Sequence, residues 1–171
     1  MKYFLFLCLG LSLQAKLLLS PFDAMLLHFS QEAKIEKTNI LLTTDEAKSV
    51  QKLAKSKLKT KIYKVYRATK DGDLLGLGIL VLHKVRSKDT AVLSIINPDG
   101  TLKTIEIIAF NEPMEYLPSK SWIEVLNNKT LSPGLALGKD IPSITAATMS
   151  ARAATMSARI ALSIFEVKFK R

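Results

Sequence analysis

The chain has 171 residues, enough for one domain with a modest core, and a net charge of +10 from 25 Lys+Arg against 15 Asp+Glu. One cysteine, Cys8, and two histidines, His28 and His83, exclude a disulfide framework, a cysteine-ligated metal and a c-type haem, and no metal site is expected.

Lys2, the apolar run at 3–13 and the small residue Ala15 have the layout of a secretory signal. Residues 1–15 are read as a removable export signal that takes Cys8 with it. Residues 16–171 are then the mature domain, in the periplasm or otherwise exported. The apolar run is short of the roughly 20 residues that span a bilayer, which weighs against an uncleaved anchor. "LLGLGILVL" at 74–82 is strand-length and glycine-broken, so no later segment spans either.

Ser20 as N-cap and Pro21 at the first helical position predict a short helix to about Phe29, followed by a linker. Thr43 and Glu46 have capping-box spacing, which predicts a second helix from there to Leu58. Between positions 48 and 70 there are nine basic residues and no acidic one. Lys48, Lys52, Lys55 and Lys59 recur at helical spacing as one stripe: a solvated face, or a landing surface for an acidic partner or an anionic membrane. An exported protein seldom meets nucleic acid, so that partner is set aside.

Four runs joined by short turns follow: "KIYKVYRAT", "LLGLGILVLHKV", "TAVLSIIN" and "TLKTIEIIAF", with "KDGD", "RSKD" and "PDG" between them. Such spacing gives an antiparallel meander rather than βαβ crossovers. "NEPMEYLPSK" is a loop at the edge of that meander, a place where sites tend to sit. A helix is expected near Ser121, then a second linker. A closing helix starts between Thr145 and Thr148 and runs to about Ile164, with Met149, Ala153, Met156, Ile160 and Ile164 on its apolar face. The fold class is α+β: an antiparallel sheet meander with flanking helices.

Catalytic signatures are missing. There is no G-x-S-x-G, no H-E-x-x-H and no phosphate loop, and "GLGILV" lacks the third glycine of a dinucleotide motif. Asp71, Asp73 and Asp99 suit turns better than acid–base work. A stand-alone catalyst is therefore not the expectation. The distinctive feature is the hexapeptide Ala-Thr-Met-Ser-Ala-Arg, present at 147–152 and again at 154–159. Thr145-Ala146-Ala147-Thr148 opens the last helix, where free backbone N–H groups and the helix dipole favour a phosphate. Thr155 lies two turns inside it.

These residues resemble the FMN-binding domain family, which is shared by flavin-carrying subunits of the sodium-translocating NADH:quinone reductase and of the Rnf electron-transport complex and by small exported flavoproteins. The hallmark of that family has the form D-x-x-[ST]-G-A-T, and a separate magnesium-dependent flavin transferase joins its last threonine to FMN through a phosphoester. Here the stretch reads Pro142-Ser143-Ile144-Thr145-Ala146-Ala147-Thr148. "INPDGTLKTIEIIAFNEPMEYLPSKSW", "LALGKDIPSITAATMSARA", "TTDEAKSVQKLA" and "HKVR" extend the resemblance over nearly all of the mature chain. Two positions depart from the hallmark: Pro142 stands for its aspartate, with Asp140 two places earlier, and Ala146 for its glycine.

The resemblance implies an exported electron carrier with FMN covalently attached at Thr148. The flavin lies at the start of the last helix beside Thr145, Ala146 and Ala147, with Asn111, Glu112, Pro113, Tyr116 and Leu117 as further contacts. His83 or Arg86 is a candidate to stabilise the reduced ring, His83 being more simply read as a strand-end histidine bonded to backbone, and Trp122 and Tyr116 are either stacking partners or core. The implied partners are the flavin transferase and redox proteins of the cell envelope, with association to a membrane complex as an option. The second hexapeptide is read as helix packing. The rival reading is a flavin-free exported binding module that docks on an acidic partner through its lysine-rich helix. A flavin reductase with its own small substrate is a third reading.

Overall fold

The computed structural model describes residues 16–170; the expected export signal at 1–15 lies outside the described residues. Six antiparallel strands form one sheet in the order β1-β6-β5-β4-β3-β2. They are β1 (Lys16–Leu17), β2 (Lys34–Leu41), β3 (Ile62–Lys70), β4 (Asp73–Val85), β5 (Lys88–Ile96) and β6 (Leu102–Phe110). The helices are α1 (Pro21–His28), α2 (Thr44–Ala54), α3 (Lys120–Glu124) and α4 (Thr148–Lys168). No helix among the described residues is long and apolar enough to cross a membrane.

Local chemistry sets most of the boundaries. Ser20 Oγ accepts the Asp23 amide at 3.1 Å and starts α1, and the Thr43–Glu46 capping box starts α2 with both of its hydrogen bonds in place. Asp71 and Gly72, with φ of 53° and 94°, form the two-residue turn that pairs Lys70 with Asp73. Between β5 and β6, the Asp99 carboxylate accepts the Thr101 amide at 2.9 Å, and Gly100 takes φ 88°.

On one face of the sheet α4 packs against β4, β5 and β6, and α2 packs on α4. There α2 and α4 bury Val50, Ile79, Ile105 and Ile164 in the main core, and on the other face α1 covers a smaller core around Met25, Leu93 and Ile95. Gly76 and Gly78 let α1 approach: a Cβ at either would run into Phe29 or Met25. In α4 almost every residue from Ser150 to Phe165 is buried, because the sheet lies under it while α2 and the 132–141 segment lie over it. Its alanines permit that close approach, as the sequence indicates.

Several expectations are corrected. The first linker contains β2, an edge strand. The second helix stops at Ala54 rather than Leu58, because Lys55 turns left-handed with φ 54° and the Gln51 side-chain oxygen accepts the Leu58 amide at 3.1 Å. The four-lysine stripe therefore breaks: Lys48 and Lys52 are on the helix, Lys55 is its cap and Lys59 lies beyond. The last helix runs on to Lys168. Met149, placed on its apolar face, is 50% exposed because the first turn projects past the sheet.

Candidate functional site

The approach to α4 is fixed from behind. Trp122 is buried, and its Nε1 donates to the Pro142 carbonyl at 2.8 Å, pinning the segment that precedes the helix. Trp122 is thus core, one of the two roles expected for it. Beyond the pin, the Ala147 amide donates to the Ile144 carbonyl at 3.1 Å, and Ala146 takes φ 64°, the left-handed region that favours glycine. This is the position at which the family hallmark has its glycine. Thr148 then opens the helix.

The two repeated threonines have different surroundings. Thr148 is exposed, and its Oγ1 donates to the Ile144 carbonyl at 3.0 Å. Thr155 is 3% exposed and its Oγ1 donates to the Ala151 carbonyl at 2.8 Å. No side chain caps α4, so its first-turn amides stay open to an external acceptor. Ser150 Oγ, buried one turn from the open end, has no hydrogen-bond partner.

Beside this helix start lies a shallow cleft. Val85 and Arg86 from the β4–β5 turn, Glu112 and Tyr116 from the loop after β6, and Ala146, Ala147, Met149 and Ser150 line it. The Arg86 guanidinium lies over the Tyr116 ring, 4.7 Å from its centre. That stack leaves a free volume of about 10 Å³, room for roughly one water. Arg86 and Tyr116 form one wall of this cleft, beside the helix start. The exposed Thr148 hydroxyl and the open first-turn amides are suited to a phosphate.

Of the expected contacts, Glu112, Tyr116, Ala146 and Ala147 meet at this cleft, while Asn111, Pro113, Leu117, Thr145 and Thr148 do not line it. Asn111 and Glu112 brace the loop. Asn111 Nδ2 donates to the Asp89 carbonyl at 2.8 Å, and Glu112 Oε1 accepts the amides of Ser87 at 3.0 Å and Lys88 at 2.9 Å. Burial pushes the Glu112 carboxyl up, but those amides and the nearby Arg86 charge outweigh it and hold its pKa below the ordinary value. Arg86 lines this cleft and His83 does not. His83 lies instead in a separate cavity with Lys59 and Tyr63, where burial and the Lys59 charge push its pKa down. Val85 and Ser150 were not expected; nothing in their local sequence distinguishes them from core. No cluster of metal-ligating side chains occurs among the described residues.

Neither a protein-family model nor a curated protein sequence matches the chain. Among solved structures, it is similar to the crystal structure of NqrC from Shewanella oneidensis, with a TM-score of 0.55 and 15% identity over 85% of each chain. The likeness establishes the fold: an α+β, NqrC-like arrangement of an antiparallel sheet with flanking helices, the C-terminal helix included.

Proposed function

We propose that this chain is an exported flavoprotein electron carrier, with FMN joined to Thr148 through a phosphoester by a separate flavin transferase. The observation that carries the reading is the contrast between the two threonines. Thr148 offers an exposed hydroxyl at an uncapped helix start, two residues after a left-handed residue at the hallmark's glycine position. Thr155, in the same hexapeptide, is enclosed. The NqrC-like fold supports the reading, since the sequence resemblance is to that same kind of protein.

Bound there, the flavin would supply the one- and two-electron chemistry that no side chain of this protein offers. The residues around it have simpler tasks. The open amides of Thr148 and Met149 and the dipole of α4 would hold the phosphate charge. Arg86 places a cation near the attachment point, and Glu112 keeps the turn that carries it in position. Arg86 and Tyr116, stacked on one another, would flank the attached group. A covalent tether also keeps the cofactor where free FMN is scarce and a reversible site would empty by mass action.

The test is production of the protein with and without a flavin transferase, followed by denaturation and measurement of flavin absorbance on the polypeptide. Colour that depends on the transferase, is lost in Thr148→Ala and is kept in Thr155→Ala supports the proposal. Failure of the transferase to label the wild type under conditions that label a known acceptor would sink it and favour the flavin-free binding module.

A further inference from the structure

We propose that the cavity between the C-terminal end of α2, the 133–139 segment and the middle of α4 binds the phosphoryl group of a small molecule. Its volume is about 330 Å³, within the range of small-ligand sites. Lys55, Lys139, Arg152 and Arg159 line it together with Thr155 and Met156, and no carboxylate does among the described residues. The site does not rest on the flavin reading.

The repeated hexapeptide builds this place. Arg152 and Arg159 are its two terminal arginines, seven residues apart, so they project from nearly the same face of α4. Both reach the cavity. Arg152 is exposed at the mouth, while Arg159 forms the floor at 5% exposure. A buried guanidinium ordinarily has a carboxylate partner. Among the described residues Arg159 has none: it donates to the carbonyls of Ala54 at 3.0 Å, Ser132 at 2.8 Å, Leu135 at 2.8 Å and Leu53 at 3.1 Å. These bonds use four of the five guanidinium N–H groups, leaving one on Nη2. They also fix the side chain, so the charge is held rigidly with no counter-ion supplied by the protein.

The chemistry of the ligand follows from this set. Four cations around one small cavity suit a ligand with two or more negative charges, and the two arginines suit oxygens spread over a phosphoryl group. Lys55, at the left-handed cap that ends α2, and Lys139 are exposed and line the same cavity.

Pyrophosphate and inorganic phosphate are the probes, titrated calorimetrically into the purified full-length protein made without a flavin transferase, with sodium chloride at matched ionic strength as the reference. Pyrophosphate is expected to bind and to raise Tm above the chloride reference. Loss of one charge-assisted contact typically weakens binding by about tenfold or more, so the Arg152→Ala/Lys139→Ala pair should lower affinity at least about tenfold. Lys48→Ala/Lys52→Ala removes the same net charge from the outer face of α2 and should leave affinity within about twofold, as should Thr148→Ala. Absence of binding beyond chloride overturns the proposal. Equal weakening by the two double variants does so as well, because it would mean general attraction to a basic protein.

Discussion

Replacing Ala146 by glycine tests the backbone geometry on which the Thr148 site depends. Ala146 is exposed and has φ 64°, so its methyl contributes little packing while its backbone sits in the left-handed region. An L-residue there costs about 1–2 kcal/mol. Glycine removes that cost but loses about 0.5–1 kcal/mol through the greater freedom of the unfolded chain. The net expectation is a gain of about 0.5–1 kcal/mol, which raises Tm by roughly 1–4 °C in a domain of this size. Thermal unfolding followed by circular dichroism on the unflavinylated protein reads the shift, and Ala146→Val, whose branched side chain tolerates the left-handed region worst, should lower Tm. A glycine variant no more stable than wild type would refute the left-handed assignment, and with it the structural reason for matching Ala146 to the hallmark's glycine.

Arg159→Met deletes four hydrogen bonds and strands the carbonyls of Leu53, Ala54, Ser132 and Leu135. A loss of about 3–5 kcal/mol in guanidinium unfolding is expected, against less than about 0.5 kcal/mol for its exposed counterpart in Arg152→Met. Gly76→Ala drives a methyl against the Phe29 ring and the Ile96 carbonyl oxygen and should cost about 1–3 kcal/mol by the same assay. Glu112 has a depressed folded pKa, so its stabilisation is present above the unfolded value near 4.5 and is lost as pH falls through the lower folded value. Wild type should therefore exceed Glu112→Gln in Tm at neutral pH, with the gap closing below about pH 4.5. A gap that widens on acidification would contradict the bonds from Ser87 and Lys88.

What the sequence made legible was local chemistry. The turns at Asp71-Gly72 and Asp99-Gly100 and the caps at Ser20 and Thr43 use residues whose side chains or backbone freedom define the boundary by themselves, and four strands and two helix starts follow from them. β2 escaped because six of its eight residues are exposed. An edge strand with Lys34, Glu36 and Lys37 in it has no apolar alternation to detect, and those charges guard its open edge. The early end of α2 depends on Gln51 reaching Leu58, a side-chain reach that periodicity does not encode. At the candidate site, the motif around Thr148 and the loop at Glu112 could be read in the sequence, because each is a short run. The wall of the cleft could not. It requires Arg86 and Tyr116, thirty positions apart, to stack, and only the antiparallel pairing of β4, β5 and β6 brings them together.

The duplicated hexapeptide ties these observations together, because its copies agree at some positions and differ at others. Ala147 and Ala154, Ser150 and Ser157, and Ala151 and Ala158 are buried in both copies. They form the side of α4 that meets the rest of the fold, where small residues are needed for close approach. The threonine, methionine and arginine positions diverge: Thr148, Met149 and Arg152 are exposed, whereas Thr155 and Arg159 are buried and Met156 is half-buried. The difference has one cause. The end of α2 and the 132–141 segment bond to Arg159 of the second copy, whereas Arg152 of the first reaches only the mouth of the same cavity, so identical residues meet solvent near the helix start and an enclosed wall two turns later. A seven-residue repeat keeps the packing face in register while moving the remaining face from open to covered ground. On that basis, exposure rather than local sequence should decide which threonine a flavin transferase can modify. The same enclosure should decide which arginine becomes a fixed charge.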